Sequence, residues 1–116
     1  MEKPVAREFA EHWIAAWNSH DLDRIMAHYA DDFSMASPVI RVIAEEASGV
    51  LKGKTRVREY WQKALDRTPD LKFELLDVFT GVNSLVICYR GHRGPGAEVF
   101  HFDGDGKVVR AFAHYL

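Results

Sequence analysis

The sequence predicts an α+β domain, with helices packed on one face of a curved antiparallel sheet. Three observations predict it. Apolar residues recur at helical spacing in three stretches before Thr68, with short strands between them, and at a spacing of two from Leu71 onward. The connections in the second part are short, which makes its strands antiparallel neighbours. The chain has 116 residues, 47% of them hydrophobic, enough for one domain over residues 1–116 with a core and a pocket in it.

The elements follow in order. Pro4 suits a first helical turn, where its missing N–H has no partner to lose. Val5, Phe9, Trp13 and Ala16, widened by Ala6, Ala10, Ile14 and Trp17, form the apolar half of a helix over about residues 4–18. Asn18-Ser19-His20 ends it. Asp21 is the N-cap of a shorter helix with the stripe Leu22, Ile25, Met26 and Tyr29. Phe33 to Pro38 reads as a strand with Phe33, Met35 and Ser37 on one face. Val39 to Ala44 extends that strand or leaves it, Glu45 to Gly49 is a loop, and Gly49 to Gly53 holds a short strand. Thr55 caps a third helix with the stripe Val57, Tyr60, Trp61, Ala64, Leu65 and Thr68, and Thr68-Pro69-Asp70 stops it. Four strands follow: Leu71–Thr80, Ser84–Gly91, Ala97–Asp103 and Val108–Tyr115. Gly91 to Gly96 is a flexible hairpin loop.

Composition excludes several classes. Fifteen Lys+Arg against 17 Asp+Glu, with no basic run, argue against a nucleic-acid partner. A lone Cys88 makes no internal disulfide. No apolar run is long enough for a membrane span, and Met1-Glu2-Lys3-Pro4 opens no signal peptide. The expectation is a soluble cytoplasmic domain.

The turn around Asp105-Gly106 sets the faces of the last hairpin. It places Glu98, Phe100, Phe102, Val109, Ala111, Ala113 and Tyr115 on one side. Val99, His101, Asp103, Val108, Arg110, Phe112 and His114 take the other. The first side carries one charge and therefore faces the helices. Ala111 and Ala113 are small among aromatics and leave volume, which predicts a pocket for a small apolar or aromatic molecule. Glu98 is the one carboxylate on that side. Desolvation there raises its pKa and makes it a proton-donating acid, with Tyr115 within diagonal reach. Its place near the strand start leaves a solvated rim as the other reading.

The motifs then resemble a known family. Trp13-Ile14-Ala15-Ala16-Trp17-Asn18-Ser19-His20-Asp21-Leu22-Asp23 is similar to the first two helices of the SnoaL-like and ketosteroid-isomerase-like families. Tyr29 to Phe33 leading to Ser37-Pro38, Gly53-Lys54, and Phe102 to Val108 fit the same pattern. The resemblance, to the nuclear transport factor 2-like superfamily, covers nearly the whole chain. It implies a bent sheet wrapped as a cone around the first helix, with a pocket between them. It also implies a homodimer through the outer sheet face, which Val99, Val108 and Phe112 suit. Fold alone leaves the activity open among isomerases, cyclases, hydrolases and binding domains.

Site residues carry over one by one. The isomerase base is an Asp directly before a Pro; Ser37 before Pro38 stands there and has no paired base to help it take a proton. The isomerase tyrosine on the first helix matches Trp13, a donor that does not titrate. The isomerase's protonated Asp, a carboxylic acid kept neutral by its apolar site, matches Glu98. The candidate catalytic residues are thus Glu98 and Ser37. The candidate ligand-binding residues are Trp13, Trp17, Met35, Trp61, Phe100, Ala111, Ala113 and Tyr115, with His114 added if a bulge turns it inward. Asp77 falls on the Leu71, Phe73, Leu75, Phe79 face, where it is a second acid or is turned out by a bulge. Residues 39–50 form a lid or extend the dimer contact. The six histidines form no HxxxH or HxH pair, so no metal and no cofactor is expected.

Overall fold

The computed structural model describes all residues, Met1 to Leu116. Helix α1 (Lys3–Ser19) carries Pro4 in its first turn and buries Ala6, Ala10, Trp13, Ala16 and Trp17. It ends where His20 enters the left-handed region at φ 60° and its N–H returns to the Trp17 carbonyl. Helix α2 (Leu22–Met26) starts at Asp21, whose carboxylate accepts the Asp23 and Arg24 N–H groups. Strand β1 (Tyr29–Ala36), helix α3 (Ile40–Ile43), strand β2 (Val50–Lys52) and helix α4 (Lys54–Arg67) follow. Four strands complete the chain: β3 (Glu74–Gly81), β4 (Ser84–Gly91), β5 (Gly94–Phe102) and β6 (Val108–Tyr115).

The six strands form one curved, unclosed sheet in the order β2-β1-β6-β5-β4-β3. Every pairing is antiparallel except β1 with β6, which is parallel and joins the early strands to the late ones. Leu85, Ile87, Tyr89, Glu98, Phe100, Val108, Ala111 and Ala113 are buried on the sheet's inner side against the helices. A two-point clamp ties α1 to the chain entering β3. The Asn18 amide donates to the Phe73 carbonyl at 3.0 Å and accepts the Phe73 N–H at 2.7 Å.

Several local expectations are corrected. Tyr29 opens β1 instead of closing the second helix, and it is buried. Residues 40–43 turn helical instead of extending the strand. The Ser37 hydroxyl accepts the Val39 N–H and its carbonyl accepts that of Ile40, a local alternative to the ladder. Helix α4 starts from Gly53, at φ 91°, and not from Thr55. The Gly53 N–H is held by the Phe33 carbonyl at 2.8 Å, a reversal that glycine makes without steric cost. Of the two readings of Asp77, the bulge is the one that holds: the register shifts between Leu75 and Asp77, and Asp77 is exposed. Strand β5 begins at Gly94, so the expected 91–96 loop is a two-residue turn, His92-Arg93, between paired Gly91 and Gly94. A second bulge pairs Phe102 with Val108, which makes Val108 a fully buried residue and removes it from the outer face.

Candidate functional site

The register of β4, β5 and β6 sets the site. Glu98 lies between Ile87 and Ala113, on the inner face, and is only 5% exposed. Burial alone pushes its pKa up to about 8, since no neighbouring charge or hydrogen bond contributes to the shift. At neutral pH it is therefore a protonated acid with a proton to give.

The carboxyl opens onto a cavity of about 90 Å³. On this measure one water needs roughly 10–15 Å³, so the space holds several waters or a small organic fragment. Helix α1 supplies Trp13 and Trp17 to the wall, and α4 supplies Tyr60, Trp61 and Ala64. Met35 and Val39 close the β1 side, and Thr68, Leu71 and Phe73 the side leading into β3. Tyr89, the β4–β5 turn from Gly91 to Gly94, Glu98 and Tyr115 complete it.

The aromatic wall is packed edge to face and stacked. Trp13 stacks on Phe73 with centroids 5.6 Å apart, and Trp17 meets Trp61 edge-on at 5.1 Å. Trp13 Nε1 donates to the Tyr29 hydroxyl at 2.9 Å, so the N–H that the family pattern offers to a ligand is already engaged. Trp17 Nε1 is the opposite case: it is buried and has no partner. An unpaired buried donor costs about 1–3 kcal/mol. Burial raises the pKa of Tyr60, Tyr89 and Tyr115, and the charge of an ionised Glu98 raises it further. These hydroxyls stay protonated and share the cavity wall with the acid.

Of the residues expected from sequence, Trp13, Trp17, Met35, Trp61, Glu98 and Tyr115 come together around the cavity. Phe100, Ala111 and Ala113 are buried on the inner face but lie outside the cavity wall. Phe100 packs against Trp13 and Phe9, and Ala111 sits between Phe100 and Met35 in the ladder. The gap expected beside the alanines is thus displaced toward α4. Ser37 is buried beside the Tyr60 and Tyr115 hydroxyls, whose phenolate forms it favours, without reaching the cavity. His114 points outward and is exposed, because the only bulge in the β5–β6 ladder lies at its other end. Sequence reasoning missed Tyr60, Tyr89, Phe73 and Arg93. The alternation Leu85, Ile87, Tyr89 signals Tyr89; the other three needed the tertiary arrangement. Val39 lines the cavity while Ile40 and Ile43 are buried, so the bend at 39–43 is part of the wall. No helix is long and apolar enough to cross a membrane.

The family model for the SnoaL-like domain matches residues 10–111. Among solved structures, a SnoaL-like protein of unknown function from Burkholderia thailandensis is 51% identical. The match covers 99% of this chain and 97% of that one, with a TM-score of 0.95. An epoxide hydrolase/cyclase-like enzyme, SalBIII, of pyran ring formation in the polyether salinomycin is 16% identical. There the coverage is 99% and 93% and the TM-score 0.78. A nuclear transport factor 2-like protein of unknown function from Cytophaga hutchinsonii is 14% identical over 96% and 89%, with a TM-score of 0.71. The last two likenesses speak for the fold. No curated protein matches the sequence. The match over residues 10–111 and the half-identical Burkholderia structure make this chain a member of the SnoaL-like domain family.

Proposed function

We propose that the chain is a small-molecule enzyme that uses Glu98 as a general acid on an apolar or aromatic substrate held in the cavity. One observation carries the reading: a carboxyl buried without a compensating charge, and therefore protonated at neutral pH, opens onto an aromatic-walled cavity. Such an acid donates to a carbonyl, ether or epoxide oxygen and stabilises the negative charge that develops there. The tyrosine hydroxyls in the same wall add donors, and the Trp13, Trp61 and Phe73 rings hold the body of the substrate. The likeness in fold to an epoxide hydrolase/cyclase-like enzyme is in keeping with acid-assisted ring chemistry.

A second reading, ligand holding without turnover, is favoured by one fact. Glu98 is the only carboxylate in the cavity wall, and Ser37 stands where the isomerases carry their base. Rates with small enolisable ketones and epoxides, measured across pH for wild type and Glu98→Gln, separate the two. The enzyme reading expects turnover that falls above about pH 8 and drops roughly 100-fold or more in Glu98→Gln. Saturable binding with no turnover in either protein establishes the second.

We further propose that the working form is a homodimer in the cytoplasm. A continuous apolar row crosses the outer sheet face through Val50, Ala36, Phe112, Val99, Val86 and Phe79. A polar row of Lys52, Ser34, Arg110, His101 and Ser84 runs beside it. An apolar centre with a polar border is the usual anatomy of a face that meets a second copy.

A further inference from the structure

The cavity mouth carries a charge that nothing in the chain neutralises. Because Gly91 pairs with Gly94, His92 and Arg93 form the whole β4–β5 turn, and both residues border the cavity. The turn is held over the opening from below: a Cβ at Gly91 would meet the Phe73 ring at 2.9 Å, so the end of β4 lies directly on that wall residue. Arg93 is exposed at this turn and, like nine others of the chain's 15 Lys and Arg, has no carboxylate within 4 Å; what sets it apart is that it is the one Lys or Arg bordering the cavity. Its charge reaches into the site. Burial raises the pKa of Tyr60 on α4 and Tyr115 on β6, and the Arg93 charge offsets this slightly by favouring their ionised forms; all three residues border the same cavity. The one acid in the wall, Glu98, is neutral at pH 7 and does not balance it. The cavity is thus apolar in its body, a proton donor at its depth and cationic at its rim.

We propose that the ligand is a small organic acid, with its carboxylate held by Arg93 at the mouth and its apolar or aromatic body between Trp13, Trp61 and Phe73. This rests on the reading of the cavity as a ligand site and adds the class of molecule. A guanidinium matches a carboxylate with two parallel hydrogen bonds, and His92 beside it offers a further donor. The modest volume favours a body of about one ring.

The test uses matched pairs that differ only in charge: acetate and acetamide, benzoate and benzamide, phenylacetate and phenylacetamide, naphthylacetate and naphthylacetamide. Binding is measured by calorimetry at pH 7 to wild type, Arg93→Gln and Arg93→Lys. The expected result is that at least one acid binds about tenfold or more tightly than its amide. Arg93→Gln should bring that acid down to the level of the amide and leave the amide unchanged, while Arg93→Lys retains part of the preference. If no acid exceeds its amide at any size, including the case where neither binds, the proposal is overturned. It is also overturned if Arg93→Gln weakens acid and amide alike. Glu98→Gln keeps this outcome distinct from the catalytic reading: that variant should lose turnover while keeping the preference for acid over amide.

Discussion

At the scale of single residues, Glu98 links burial to pH. Its pKa is about 8 in the folded chain, against an ordinary value of 4.5. Below 4.5 the carboxyl is protonated in both states and contributes no pH dependence. Between 4.5 and 8 the unfolded chain releases the proton while the folded chain keeps it, so the unfolded state gains and stability falls as pH rises. Above 8 the penalty is complete, at most about 5 kcal/mol from 1.36 kcal/mol per unit. Urea unfolding at pH 5 and pH 8 should show wild type losing several kcal/mol relative to Glu98→Gln, whose side chain does not titrate. Parallel pH dependence in the two proteins would refute a buried acid at position 98. A neighbouring residue shows how closely the site is fitted. A Cβ at Gly96 would stand 3.2 Å from the Tyr89 ring and 3.2 Å from the His114 carbonyl, so the absent side chain is what lets the tyrosine lie across β5. Inwardness of Glu98 was legible in the sequence, because the alternation of two strands and the glycine turn between them fix a face whatever the tertiary packing. The engaged state of the Trp13 N–H was not, since Tyr29 reads equally well as a helix residue.

At the scale of elements, α1 does more than fill the sheet. Through Asn18 and the His20 ring, whose Nε2 lies 2.7 Å from the Leu71 carbonyl, it fixes the chain that brings Leu71 and Phe73 to the cavity. Asn18→Ala removes both bonds to Phe73 and should cost about 1–3 kcal/mol in chemical unfolding, with faster amide exchange at Phe73. Unchanged exchange there would show that the clamp contributes nothing. The β5–β6 turn is secured in a different way. The Asp103 carboxylate accepts the Asp105 and Lys107 N–H groups, each at 2.9 Å, a local pattern that the Asp-Gly-Asp-Gly run announces. Elements governed by such local chemistry are readable: α1, α2, α4 and the β4, β5 and β6 ladders. Elements governed by distant partners are not. Residues 39–43 follow an apolar strand pattern, yet Ser37 offers their N–H groups a closer acceptor. Bulges at Asp77 and Val108 each reverse a face, and only the first is foreseeable, because a carboxylate on an apolar face signals a conflict while one valine in place of another does not.

At the scale of the whole molecule, the two sides of the sheet divide the labour. The inner side holds the acid and the cavity, and the outer side offers the apolar row. Val99→Asp places a charge in the middle of that row without touching the cavity, and by sedimentation equilibrium it should shift a dimer to monomer. A wild-type chain that sediments as monomer at micromolar concentration would refute the second-copy proposal. The parallel pairing of β1 with β6 is invisible in the sequence because no turn connects the two strands, and Cα partners such as Met35 and Ala111 stand far apart along the chain. That pairing makes β6 a seam. One of its flanks belongs to a meander formed from sequence neighbours, the other to strands translated much earlier. The opening half of the polypeptide must therefore wait with an unsatisfied backbone edge while nearly everything else is made, and the acid acquires its dry surroundings only when that final ribbon zips the halves together.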